Sequence, residues 1–316
     1  MRSDRPVVEW PTVILLVATY LIWAVGTTWA AGLSLPVGIL VTAIAIAQFS
    51  SLQHEVLHGH PFRNRLLNEA LVFPALTVVV PYGRFRDLHL AHHHDPILTD
   101  PYDDPESNFA DPAVWAGMSA ARRGLHQMNN TLLGRMVLGP AISTVSLISG
   151  DMAAIRAGNR DALRAWVLHI PGLMMVLFWL VKFAEMPVWA YLIAAYAGFG
   201  LLKIRTFLEH RAHDIARART VIIEDRGPLA LLFLNNNLHA VHHMHPQVAW
   251  YRLPSTYRAN RDHYLRRNDG YLYRSYAEIF RRFLFSAKDP VPHPLWSATT
   301  RATRPDAPAG PGVPAE

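Results

Sequence analysis

The stretch LVTAIAIAQFSSLQHEVLHGH, residues 40–60, joins an uncharged apolar run directly to a pair of histidines. It closes a 44-residue segment, residues 10–53, that contains no Asp, Glu, Lys or Arg. One membrane crossing needs roughly 20 apolar residues, and the sequence GLSLP interrupts the run near its middle. We therefore predict two membrane helices, at about 11–32 and 36–53, in a tight hairpin that ends close to His54.

The composition of the whole chain supports a membrane protein and excludes several kinds of chemistry. Of its 316 residues, 51% are hydrophobic and 17% are charged, against about 25% charged in soluble proteins. The absence of Cys excludes disulfides, thiolate nucleophiles and Cys-ligated metals. No GxGxxG pattern indicates an in-chain dinucleotide domain. We attribute the net charge of +6 to a cytoplasmic face and not to nucleic-acid binding.

A second apolar hairpin is predicted at about 163–183 and 187–204, with tryptophans near the helix ends. If the N-terminus is cytoplasmic, each hairpin returns the chain to the cytoplasm. Residues 203–288 hold 15 Lys and Arg but 7 Asp and Glu, as the positive-inside rule expects for a cytoplasmic segment. Hydropathy and charge thus predict the same topology.

The predicted fold is an all-α integral membrane protein with four transmembrane helices in two hairpins and a cytosolic helical cap. The tail contains seven prolines in 27 residues and is expected to be disordered. The predicted segments are a cytosolic N-terminus (1–9), a membrane domain (10–289) whose cytosolic parts are 54–162, with interfacial pieces, and 205–289, and the tail (290–316).

Three histidine clusters dominate the polar part of the chain. They have the spacings HxxxH, HxxHH and HxxHH, and their members are His54, His58, His89, His92, His93, His239, His242 and His243. In a helix, residues three and four apart are neighbours on the surface, so each cluster is expected to converge on one face. Eight imidazoles exceed the four ligands of a tetrahedral zinc site, which favours two metal ions. Imidazole suits iron, zinc, copper and nickel.

Residues beside the clusters leave several alternatives open. His60, His94 and His245 are additional histidines, and the second cluster can also be read as His89, His93 and His94. The carboxylates of Glu55, Asp87 and Asp95 either orient ligand rings or are ordinary solvated groups. Asn236 and Asn237 either donate to the site or, as we favour, cap a helix that begins near His239.

The three clusters, in this order and with apolar hairpins between them, resemble the membrane fatty acid desaturase family over roughly residues 10–285. The resemblance implies two iron ions held by the eight histidines and by a lone histidine after the fourth membrane helix. In RTFLEHRAH that position is His210, with His213 as the alternative. The asparagine that precedes the lone histidine by four residues in stearoyl-type enzymes is Thr206 here, so we do not carry its role over.

The resemblance further implies an oxidoreductase that uses dioxygen and two electrons to desaturate a lipid acyl chain. No fused donor domain is visible, so the electrons are expected from a separate ferredoxin- or cytochrome-like protein. We expect the enzyme in a bacterial inner membrane, with its active site on the cytoplasmic side.

Three rival functions remain open from the sequence. A hydroxylase or ketolase of a lipid or carotenoid would use the same site. An intramembrane zinc peptidase would use His54, His58 and Glu55 as an HExxH motif. A metal transporter or sensor is the third alternative, although histidine-rich tracts of that kind are looser.

Overall fold

The protein is mostly helical, and a computed structural model describes residues 8–296, apart from the side chain of Asp95. The α-helices in this range are α1 (Trp10–Val25), α2 (Ala31–Leu33), α3 (Leu35–Leu57), α4 (Arg65–Leu71), α5 (Tyr82–His92), α6 (Pro112–Gly117), α7 (Ala120–Asn129), α8 (Leu132–Val137), α9 (Gly139–Arg156), α10 (Arg160–Lys182), α11 (Val188–Thr206), α12 (Pro228–Leu232), α13 (His239–Met244), α14 (Leu253–Ala259), α15 (Arg261–Arg267) and α16 (Tyr276–Phe283). A π-helical turn (Gly26–Ala30) and three 3₁₀ turns (Asp95–Ile97, Ala216–Ala218 and Trp250–Arg252) complete the helical elements of this range.

Four helical segments are long and apolar enough to cross a membrane. They are Trp10–Leu33 (α1, the π turn and α2), Leu35–Leu57 (α3), Arg160–Lys182 (α10) and Val188–Thr206 (α11). The prediction of a mostly helical protein with four such helices is therefore confirmed. Helix α3 extends four residues past the predicted end at residue 53, so that the first half of the HxxxH cluster is helical.

Helix α3 is the most buried of the four and packs against both α1 and α11. The contact with α11 is close: a Cβ added at Gly198 would lie 2.8 Å from the carbonyl oxygen of Ala43. Small residues at such crossings let helix backbones approach each other in the absence of a hydrophobic driving force. This contact fixes α3, which carries the first histidine cluster, against α11, which leads to His210.

The π turn connects the first long helical segment to the connector between α10 and α11. It leaves the carbonyl oxygen of Thr27 to accept the backbone N–H groups of Glu185 and Met186, at 3.1 and 3.0 Å. Those residues lie in the connector between α10 and α11. The bulge therefore ties the first span to the turn between the last two.

Residues 72–81, within the predicted cytosolic part 54–162 and its interfacial pieces, are apolar but not helical. Ala75 N–H donates to Gly172 O at 3.2 Å, and a ring nitrogen of His169 lies 2.7 Å from Val78 O. Helix α10 thus supplies partners for backbone groups that this non-helical apolar segment would otherwise leave unpaired.

Two short parallel strands, β1 (Ile222–Ile223) and β2 (Leu272–Tyr273), lie after α11. The residue before β1, Val221, accepts the N–H of Ala240 through its carbonyl oxygen at 3.0 Å. This bond, together with apolar packing under α14 and α15, holds α13 and the third histidine cluster in place.

After α16 the chain continues as a segment that we call the C-terminal strap, residues 284–296. Val291 O accepts the N–H of Ala110 at 2.9 Å, and His293 N–H donates to Ala110 O at 2.9 Å. Backbone pairing and the burial of His293 thus place residues 290–296 against the rest of the chain, where the sequence predicts a disordered tail. The rest of that prediction concerns residues 297–316, which lie outside the described residues.

Candidate metal centre

Nine histidine side chains converge in two adjoining groups beside the end of α3. Group 1 consists of His54, His58, His89, His93 and His242. Group 2 consists of His92, His210, His239 and His243. Within each group, one nitrogen from every ring lies within 4.8 Å of all the others. The structure therefore brings together the nine histidines that the sequence nominated first.

The second and third clusters each divide between the two groups. His89 and His93 join group 1 while His92 joins group 2; His239 and His243 join group 2 while His242 joins group 1. Residues four apart share a helix face, whereas consecutive residues differ by about 100°. The expectation that each triple converges on one face is thus too coarse. Each triple spans both groups and joins them.

The ring nitrogens approach each other at ligand spacing. Nε2 of His89 lies 2.9 Å from Nε2 of His93 in group 1. In group 2, Nε2 of His210 lies 2.9 Å from Nε2 of His92 and 3.2 Å from Nε2 of His239. Two nitrogens about 2.1 Å from one ion, at tetrahedral or octahedral angles, are about 3.0–3.4 Å apart. The observed separations match that spacing.

Several buried nitrogens of the two groups have no hydrogen-bond partner among the described residues. They are Nε2 of His54, His58 and His242, Nδ1 of His93 and His210, and both ring nitrogens of His243. A buried polar atom without a partner costs about 1–3 kcal/mol, and coordination to a metal removes that cost. Donor chemistry, spacing and unpaired nitrogens all fit two imidazole-ligated metal ions.

Two carboxylates orient rings of the second cluster. Nδ1 of His89 lies 2.8 Å from Oε1 of Glu106, and Nδ1 of His92 lies 2.7 Å from Oδ1 of Asp104. A carboxylate on Nδ1 fixes the tautomer and leaves Nε2 as the metal-binding nitrogen. One carboxylate thus serves each group.

Sequence reasoning missed both carboxylates. They belong to DPYDDPESN, residues 100–108, within the predicted cytosolic part 54–162. Asp104 is buried, and its Oδ2 also accepts the N–H of Thr99 at 2.8 Å. The available signal was a cluster of acids directly after a histidine cluster.

Burial and charge act on these rings in opposite directions. Burial lowers the pKa of His92, but the carboxylates of Glu106 and Asp104 outweigh it and raise the pKa to about 9. Burial, reinforced by His89 and His92, lowers the pKa of His93 to about 3. The ring of His93 thus stays neutral at pH 7 and keeps the lone pair that a metal ion needs, whereas a metal ion bound by His92 would displace a proton.

Unlike His92, the other three histidines of group 2 have lowered pKa values. Burial, followed by neighbouring imidazoles, holds the pKa of His210, His239 and His243 well below the usual range. The buried carboxylate of Glu209, 3.7 Å from Nδ1 of His239, lies beside this group and pairs with Arg205 at 3.1 Å.

Four further histidines named as alternatives lie outside both groups. His60 is buried, with Nδ1 2.6 Å from Oε2 of Glu9. His94 is exposed, and His213 and His245 are partly exposed. The reading of the second cluster as His89, His93 and His94 is therefore not supported, because His94 is exposed and belongs to neither group.

Two of the carboxylates proposed as ring partners have other contacts. Glu55 accepts the backbone N–H of Trp250 at 3.1 Å and lies 3.8 Å from His60. Asp87 pairs with Arg86 at 2.8 Å. Of the two alternatives left open for each carboxylate, Asp87 follows the second, a local ion pair at the surface, while Glu55 connects α3 to the turn at Trp250.

The asparagines before α13 do not cap it. The residue at the N-cap is Leu238, and no side chain caps the helix. Oδ1 of Asn236 instead lies 3.1 Å from Nδ1 of His239, and Asn237 donates to a strand carbonyl oxygen at 2.6 Å. Asn236 therefore contacts a ring of the site, which was the less favoured alternative, whereas Asn237 supports the backbone. The side chain of Asp95 lies outside the described residues.

Comparison with known proteins agrees with this arrangement. The sequence profile of the family described as "Fatty acid desaturase" matches residues 27–276. The chain belongs to the fatty acid desaturase family. The matched range includes all nine converging histidines, and desaturases of this family are histidine-ligated iron enzymes.

Two curated relatives within this broad family are beta-carotene ketolases. The protein from Paracoccus sp. (strain N81106 / MBIC 01143) is 28% identical over 251 residues, covering 77% of this chain and 79% of the relative. The protein from Paracoccus sp. (strain PC1) is 28% identical over 241 residues, covering 73% and 76%. Family and relatives together indicate a membrane-associated oxidoreductase.

Proposed function

We propose that this protein oxidises an unactivated C–H bond of a long apolar lipid at a centre of two histidine-ligated iron ions, using dioxygen. Desaturation of an acyl chain is the first candidate reaction. The observation that carries the proposal is the convergence of nine histidines into two adjoining groups beside four apolar helices.

The ligand sets are proposed to be those of group 1 and group 2, one iron ion in each. Bound there, the two iron ions would supply dioxygen activation and the oxidising power for C–H cleavage. The chain itself would hold the ions at fixed separation through the second and third clusters. Glu106 and Asp104 would keep His89 and His92 in the ligating tautomer.

The apolar helices would also bring the substrate to the centre. His54 is buried in the last turn of α3, directly below His58. An acyl chain that lay along α3 within the membrane would therefore meet the histidines without leaving its apolar surroundings. Exclusion of water from this buried site would protect a reactive oxidant from side reactions.

We place the two hairpins in a bacterial inner membrane, with residues 54–162 and 205–289 as a cytosolic cap. The charge of residues 203–288 supports this side. Because two electrons must enter for each turnover, a separate ferredoxin- or cytochrome-like donor is proposed as partner.

Ketolation of a carotenoid is the second candidate, and a specific observation favours it. Both curated relatives are beta-carotene ketolases and match about three quarters of this chain. Both reactions would begin with removal of one hydrogen atom from a carbon of the substrate. Loss of a second hydrogen from the neighbouring carbon gives a double bond, whereas transfer of oxygen to the first carbon leads towards a keto group. Histidine spacing does not determine which of these follows.

The test is expression of the wild-type chain in hosts that lack the activity, one supplied with ordinary acyl lipids and one making β-carotene. Lipid extracts are compared by mass spectrometry with those from His242→Ala. Loss of two hydrogens from an acyl chain indicates desaturation, gain of one oxygen indicates hydroxylation, and replacement of two hydrogens by one oxygen indicates a ketone.

A matched control is His245→Ala, which removes a partly exposed histidine three residues later and outside both groups. We expect this control to retain product while His242→Ala loses it. Identical lipid profiles for wild type and His242→Ala in both hosts would contradict the proposed function.

A further inference from the structure

His210 differs from the other eight histidines of the two groups because it does not belong to a helix or a helix cap. It follows the end of α11 and pairs with Thr220 in an isolated bridge. The ladder bonds on either side join Val221 N–H to Glu209 O at 3.0 Å and Arg211 N–H to Arg219 O at 2.9 Å. No helical hydrogen-bond pattern fixes the direction of this ring, so other contacts must do so.

The carbonyl oxygen of His210 is bound by the C-terminal strap. Nζ of Lys288 donates to it, and the Lys288 side chain is 10% exposed. Nζ of Lys288 also lies 3.3 Å from Oδ2 of Asp289. A buried ammonium group thus contacts the backbone of a group 2 histidine, 78 residues away in the chain.

The strap is itself anchored on the turn between α7 and α8. Lys288 N–H donates to Asn130 O at 3.2 Å, and the side-chain amide of Asn130 donates to Asp289 O. Two further residues form an antiparallel bridge across the same turn, Thr131 with Ala287. Lys288 is therefore held on both sides and has little freedom to move away from His210.

Farther along, the strap contacts the loop that bears the carboxylates. The ring of His293 lies 3.2 Å from Oγ1 of Thr99, whose N–H donates to Asp104. Nε1 of Trp296 donates to Oδ2 of Asp111 at 3.2 Å. The same segment thus touches the chain that holds His210 and the loop that orients His92.

We propose that Lys288 is a positioning residue for His210, and that the C-terminal strap clamps the iron ion of group 2. The inference rests on the proposed function, since it assumes that group 2 binds iron. Group 1 takes its ligands from helices and their caps, so loss of the clamp should affect group 2 selectively. Removal of a partner that orients a ligand typically costs about 10–100-fold in metal affinity.

The experiment compares full-length Lys288→Met with Lys288→Arg and with Arg282→Met, a control that removes a 56% exposed cation on α16. Each purified protein is titrated with ferrous iron, and Mössbauer spectra are recorded on the loaded proteins. We expect Lys288→Met to bind one of two iron ions about 10–100-fold more weakly and to change one of two iron spectra. Lys288→Arg keeps a cationic donor and should recover most of the affinity, and Arg282→Met should match wild type.

Retention of both iron ions at wild-type affinity in Lys288→Met would overturn the inference. So would an equal loss of both ions together with a lowered melting temperature, since that outcome indicates a general structural role. If Lys288→Met does not fold, Trp296→Phe replaces it, because it deletes one hydrogen bond at the far end of the strap. A smaller, few-fold loss confined to one iron ion supports the clamp, and no loss opposes it. A wild-type protein that binds no iron would instead refute the proposed function.

Discussion

The two histidine groups present the same kind of ligand, imidazole, but the histidines are carried by different kinds of backbone structure. Group 1 has five rings. Three lie in the helices α3, α5 and α13, and the other two belong to His58 and His93, the C-cap residues of α3 and α5. Group 2 has four rings, and His210 comes from an irregular segment. The backbone hydrogen bonds of a helix fix the orientation of the histidines that it carries. The orientation of His210 is instead fixed by contacts with distant parts of the chain. Group 1 should therefore tolerate local change better than group 2.

The largest expected effect comes from removing one histidine ligand from each group in turn, because the two groups have different numbers of ligands. His210→Ala leaves three rings in group 2, and His58→Ala leaves four in group 1. Both variants should lose product entirely, because the reaction needs both sites. We expect iron content to fall from about two to about one ion per chain only in His210→Ala, since four nitrogens suffice to hold an ion. Metal analysis of purified protein and lipid mass spectrometry measure the two effects.

Equal iron loss in His210→Ala and His58→Ala would show that the two groups do not differ in robustness. His94→Ala serves as control, since His94 adjoins the second cluster but is exposed. It should keep both iron ions and full product.

A smaller effect is expected from Asp104→Asn, which keeps an oxygen for the loop but replaces the anion on His92. Affinity for the group 2 iron should fall about 10–100-fold, as read by iron titration. Asp262→Asn is the matched control, because its carboxylate is 81% exposed. An unchanged titration curve for Asp104→Asn would mean that the charge of this partner is immaterial.

Gly198→Ala should weaken both groups to the same degree, because it forces apart α3 and α11. The added methyl group would lie 2.8 Å from Ala43 O, and overpacking of this kind costs about 1–3 kcal/mol. Thermal unfolding in detergent gives the loss of stability. Gly124→Ala, where a Cβ meets nothing within 4 Å, should be neutral or stabilising. A selective loss of one iron ion in Gly198→Ala would contradict the shared role of this contact.

The smallest effect is predicted for Trp250→Phe. This change deletes the bond from Nε1 to Oγ1 of Thr12, 3.2 Å long, but keeps the backbone bond to Glu55. Loss of one such hydrogen bond costs about 1 kcal/mol, so the melting temperature should fall slightly while iron content stays at two. Iron loss would indicate that the ring of Trp250 supports group 1 directly.

The sequence predicted those parts of the centre that follow from helical periodicity or from the length of an apolar segment. Apolar length indicated the four long helices, and helical spacing indicated His54 with His58, His89 with His93 and His239 with His243. These relations are local, so a single sequence contains them. The lone His210 was found because it follows the last long apolar helix, by resemblance and not by periodicity.

The partners of the rings could not be predicted in the same way. Glu106 and Asp104 reach their histidines because the loop after α5 folds back, and Lys288 reaches His210 across 78 residues. Nearness in sequence did not identify the contacts of Glu55 with Trp250 or of Asp87 with Arg86. Tertiary contacts between irregular segments have no period, and a single sequence does not encode them visibly.

The position of the C-terminal strap in the chain has a consequence for biosynthesis. Proteins are made from the N-terminus onward and their segments begin to fold in that order. All nine histidines have been synthesised by residue 243, yet Lys288 and the residues that contact the carboxylate loop follow about 40–50 residues later. A nascent chain thus has every ligand before it has the clamp. If both groups bind iron as proposed, iron that arrives early would meet a complete group 1 and a group 2 without its clamp, and we expect group 1 to load first.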